Sequence, residues 1–128
     1  MSLGARLGVV HGGRIERDED LEELVAGIWE DIVTHITDVL KGDLHGYDKY
    51  LELANPSIEE IITRITAIDR LMNEMLDGVV AGDLAIEVEL KLIDCQQCMH
   101  LIRRVHVALK HDNQHEYDDV IHKLKHHR

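Results

Sequence analysis

The sequence predicts an all-α fold, a small helical bundle of three long helices plus one or two short ones. Three observations carry that prediction. Apolar residues recur at steps of three and four over long stretches, the period of an amphipathic helix. The single proline and a Ser-x-x-Glu capping pair open one of those stretches. There is no Phe and only one Trp, so Ile, Leu and Val must fill the interior, which suits helices packing ridge into groove.

Residues 1–17 carry Gly4, Gly8, Gly12 and Gly13 and read as a flexible or hairpin arm ahead of a bundle domain at 18–128. The first long helix starts at Asp18 or Asp20, either of which can cap it. Its stripe is Leu21, Leu24, Val25, Ile28, Ile32, Ile36, Val39 and Leu40, and Lys41-Gly42 ends it. Tyr47, Tyr50, Leu51 and Ala54 fit a short helix that Asn55-Pro56 stops. Ser57 and Glu60 then cap a helix with Ile58, Ile61, Ile62, Ile65, Ile68, Met72, Met75, Leu76 and Val79 inward, and Ala81-Gly82-Asp83 reverses the chain. A third long helix is expected from about Asp83 to Lys110, on Leu84, Val88, Leu92, Cys95, Met99, Ile102, Val105 and Leu109. Ile93 and Leu101 widen its stripe, which predicts burial on two sides and a homodimer that closes a larger bundle. The last helix, about Gln114 to His126, buries Tyr117, Val120, Ile121 and Leu124.

Charge and composition narrow the function. With 25 acids against 14 bases the net charge is −11, and the bases are scattered, so nucleic acid is not an expected partner. The acids crowd early (Glu16, Asp18, Glu19, Asp20, Glu22, Glu23, Glu30, Asp31) and the end from Lys110 to Arg128 is basic or titratable, a polarity that draws one molecule's end to another's. No apolar run is long enough for a membrane span, and the start does not resemble a signal peptide, so a cytoplasmic location follows by elimination.

The chemical signal is histidine. Seven of ten lie between His100 and Arg128, and His111, His115, His122 and His126 repeat at helical spacing with Asp118 and Asp119 between them. Imidazole with carboxylate suits zinc or nickel. His115 and His122 are about 10 Å apart along a helix, too far to share an ion. The expected pairs are therefore His111 with His115, His122 with His126, or one His with an intervening Asp, completed by His100, His106, His35 or a second chain. The plain alternative is a solvated polar tail.

Other chemistries find less. Cys95 and Cys98 form a Cys-x-x-Cys pair, but Met99 stands where haem attachment needs His, and both fit the buried pattern as inert core thiols. No Glu-x-x-His occurs, so a ferritin-like di-iron site is not expected. Glu22-Glu23, Glu30-Asp31 and Glu59-Glu60 make an incomplete magnesium set for a metal-dependent hydrolase. The sequence therefore points to a protein acting by protein–protein contact: an adaptor, regulator, assembly subunit or immunity-type binder. A transition-metal-binding protein is the alternative, and an acidic hydrolase the third.

Overall fold

The computed structural model describes Ile15 and residues 20–127. Within them the chain is all-α, in five helices: α1 (Leu21–Leu40), α2 (Asp48–Leu51), α3 (Ile58–Ala81), α4 (Glu87–Lys110) and α5 (Gln114–His127). The arm expected at 1–17 lies outside the described residues apart from Ile15, as does the alternative cap Asp18.

Turn chemistry sets most boundaries. Asp20 occupies the N-cap position of α1, but its side chain makes no capping hydrogen bond. Lys41 (φ 54°) and Gly42 (φ 83°) are left-handed and close the end of α1, where the Gly42 N–H donates to the Thr37 carbonyl. Ser57 caps α3: its hydroxyl accepts from the Glu60 N–H at 3.2 Å, and the Glu60 carboxylate accepts from the Ser57 N–H at 2.9 Å. Gly82 (φ 86°) ends α3, and the N–H groups of Asp83 and Leu84 both donate to the Gly78 carbonyl. A methyl group on Gly78 would sit 3.3 Å from Leu84 Cδ1, so the missing side chain lets Leu84 fold back over the helix end. That reversal uses residues 82–86, and α4 begins at Glu87 rather than near Asp83. Its first turn has no side-chain cap and instead carries Glu87 and Glu89, which suit the positive end of the helix dipole.

The core is one cluster drawn from every helix. It contains no buried polar or charged side chain among the described residues. The inward stripes of α1, α3 and α5 match their periodicities: Leu21, Val25, Ile28, Ile32 and Ile36; Ile58, Ile61, Ile65, Ile68, Met72 and Met75; Tyr117, Val120, Ile121 and Leu124. Trp29 and Leu71 join them from the flanks of their stripes. Helix α4 is central, packed between α3 and α5, with α1 touching all three and α2 laid against α3. Ile93 does not belong to the core and is exposed, together with Ile86 and Leu90.

Two contacts show that α5 runs antiparallel to α4: Arg104 meets Glu116 and Asp94 meets His127. The Arg104 guanidinium holds Glu116 through two hydrogen bonds, at 2.7 and 3.2 Å, and reaches Asp119 at 3.3 Å. The bond to Arg104 holds the Glu116 carboxyl below its ordinary range. A planar fork on a carboxylate fixes geometry as well as charge, and here it sets the register of the two helices. At 24 residues α4 is about 36 Å long and at 14 residues α5 is about 21 Å. Helix α5 has reached the level of Asp94 by its last turn, and the first two turns of α4 extend past it.

Candidate functional site

The α4–α5 seam opens outward as a groove of about 640 Å³. Helix α4 lines it with Ile93, Gln96, Gln97, His100 and Leu101; α5 lines it with His122, Lys123, His126 and His127. Four imidazoles on an apolar floor thus face one groove, because helix repeat places His122 and His126 on adjacent turns and antiparallel packing brings His100 opposite.

The predicted stripe divides in space. His122 and His126 stack, with ring centroids 4.1 Å apart. The Nδ1–H of His126 donates to the His122 carbonyl at 2.8 Å, which leaves Nε2 as the nitrogen that could ligate. His111 lies outside α5, at the C-cap of α4, and His115 is exposed in the first turn of α5, so these two do not share a helix. The turn between them has Asp112 left-handed at φ 51°, and Asn113 caps α5 by accepting from the Glu116 N–H at 3.1 Å. Asp118 accepts from Gln114 Nε2 at 2.8 Å. Asp119 bridges Lys123 at 3.0 Å and Arg104 at 3.3 Å, and these cations, Lys123 first, hold its carboxyl below the ordinary range.

Among the described residues, one set of three metal-ligating atoms comes within 4.8 Å of one another, and it is not the stripe: Asp94, Cys98 and His127. Asp94 and Cys98 are one helical turn apart on α4, and His127 reaches them from the last turn of α5. His127 Nε2 lies 2.6 Å from Asp94 Oδ1, yet the approach lacks hydrogen-bond alignment, and Nε2 is shut off from solvent although the ring is 20% exposed. The i, i+4 pair Asp94–Cys98 was visible in the sequence; its meeting with His127 depends on the register of two helices. The cysteines thus have different surroundings. Cys95 points into the core, and burial pushes its thiol up to about 11, an inert thiol. Cys98 is also buried but flanks the Asp94–His127 contact, and neither cysteine is in a disulfide.

A second concavity, of about 800 Å³, gathers Glu22, Glu23, Glu30 and Glu60 between α1 and the start of α3. No three of these carboxylates converge within ligating distance, and Glu60 is held by the Ser57 cap. The hydrolase reading gains no built site there.

His35 on α1 is a half-buried imidazole. Its Nε2 has no hydrogen-bond partner, and burial, then the Lys91 charge, hold its pKa below the ordinary value of 6.5; Asp38 opposes them less strongly. The folded protein therefore binds this proton less readily than the unfolded chain. The stability tied to neutral His35 is complete above about pH 6.5 and is lost as pH falls from there through the lowered folded value. A His35→Leu variant should gain in melting temperature relative to the parent as pH is taken from 7 to 5. A difference that stays constant across that series would show that His35 does not titrate in this way.

No protein-family model, curated protein or solved structure matches this chain.

Proposed function

We propose that the protein acts by protein–protein contact through the face of α4 that α5 leaves uncovered, and that the occupant of this face is a second copy of the chain. The supporting observation is a row of large apolar side chains in water along the start of α4: Ile86 (70% exposed) and Leu90 (78%), leading into Ile93. Single exposed aliphatics are ordinary, but a contiguous row marks a contact site. Ile86, Leu90, Ile93 and Gln97 follow one another at steps of four, three and four, the spacing of a helix–helix seam.

Symmetry favours a second copy. Two copies packed antiparallel across a two-fold axis at Leu90 set the row Ile86, Leu90 and Ile93 of each against the same row of the other, so one apolar patch covers both. A stable interface needs about 800 Å² per partner, more than the row provides, and the α4–α5 groove that shares Ile93 supplies the adjoining surface. Adaptors, regulators, assembly subunits and immunity-type binders work by contacts of this kind.

Light scattering at micromolar concentration should give twice the chain mass, and Leu90→Glu should return the protein to the mass of one chain with its helical content intact. A monomeric parent, or a dimer that Leu90→Glu and Ile86→Glu leave unchanged, would overturn the proposal.

A further inference from the structure

The geometry points to a divalent transition-metal site at the α4–α5 seam, held by Asp94 Oδ1, Cys98 Sγ and His127 Nε2, with zinc as the fitting ion. The site adjoins the dimer face but does not rest on that reading. Three features carry it. The donors are one thiol, one imidazole and one carboxylate, the mixed set that a borderline-soft ion takes. Their ligand atoms already lie within 4.8 Å of one another, while a tetrahedral ion with bonds of about 2.0–2.3 Å sets its ligands about 3.3–3.8 Å apart. Taking up an ion therefore asks His127 Nε2 and Asp94 Oδ1, now 2.6 Å apart, to separate by about an ångström, at the last turn of α5, where a helix adjusts most readily. Finally, His127 Nε2 is closed off from water and crowded against Asp94 Oδ1 without a hydrogen bond between them. A ring nitrogen and a carboxylate oxygen this close, with no hydrogen bond between them, are what an ion would bridge.

His127 also lines the groove that holds His100, His122 and His126, so water or one of these imidazoles can complete the set. Binding replaces the Cys98 S–H bond with a sulfur–metal bond and releases that proton to solvent, and His127 must be neutral to ligate. Affinity therefore falls as pH falls through the imidazole range. The ion would tie the end of α5 to the middle of α4, which the Arg104 clamp does not reach, so binding should raise the melting temperature.

The test uses tag-free full chain titrated with zinc by calorimetry and with cobalt by absorption, near neutral pH. The expected result is one ion per chain and a cobalt spectrum with both tetrahedral d–d bands and a thiolate-to-metal charge-transfer band. Cys98→Ser should abolish the charge-transfer band. Cys98→Ser, His127→Ala and Asp94→Asn should each weaken binding by at least about tenfold, since loss of an outer-shell partner alone costs about 10–100-fold. Cys95→Ser, and the fourfold alanine variant of His111, His115, His122 and His126, should keep the charge-transfer band. Asp94 and His127 lie at the rim of the seam, so their variants report even if Cys98→Ser disturbs the core. Absence of zinc binding, cobalt binding without the charge-transfer band, or binding that survives His127→Ala and Asp94→Asn but is lost in the fourfold variant would each overturn the assignment. The first outcome would leave Asp94 and His127 as an ordinary ion pair.

Discussion

Truncation of Trp29 to alanine should destabilise the protein by about 3–5 kcal/mol in chemical denaturation, the largest single effect expected in this molecule. The side chain is 1% exposed and is the largest in the core, so its removal leaves a cavity that an aliphatic surround fills only in part. It also holds the connection between α2 and α3: Nε1–H donates to the Leu53 carbonyl at 3.2 Å, fastening that loop to α1. Small domains have about 5–15 kcal/mol in total, so the variant should be close to unfolding. Trp29→Phe should lose less, because it keeps most of the apolar volume and gives up the hydrogen bond. A loss under about 1 kcal/mol for Trp29→Ala would mean that the loop and α1 are not joined as described.

Truncation of Ile102 to alanine should remove about 2–5 kcal/mol, and Ile102→Val only about 0.5–1.5 kcal/mol. Ile102 is fully buried on α4, and Ile65, buried on the helix packed against it, belongs to the same core. The position of α4 between α3 and α5 means that a void there touches packing on more than one side. Equal melting temperatures for the parent, Ile102→Val and Ile102→Ala would contradict the central placement of α4.

Much of the fold was legible residue by residue. The Ser57–Glu60 cap, the left-handed Gly82 and the end of α1 at Lys41-Gly42 are local events, set within four or five residues by side-chain donors and backbone freedom. The inward stripes are likewise read from steps of three and four. Trp29 was passed over although it stands four residues after Val25, because an aromatic beside Ile28 extends a stripe sideways. The start of α4 was misplaced because Leu84 folds back on Gly78, a contact between two elements rather than a property of either.

The candidate site divides on the same line. The i, i+4 pair His122–His126 belongs to one helix and was visible in its sequence, and the contact of the two rings follows from that spacing. His111 left that set because a three-residue turn intervenes, and Asp119 is held by Arg104, an ion pair across helices. The sequence alone therefore determined the number of helices, the caps of α3 and the inward faces of α1, α3 and α5, since each depends on neighbours within a turn or two. Only the tertiary structure decided that α5 ends its run along α4 at Asp94. That one register brings His127 beside Asp94 and Cys98 and leaves Ile86 and Leu90 bare, because both results depend on how far two antiparallel rods of unequal length overlap.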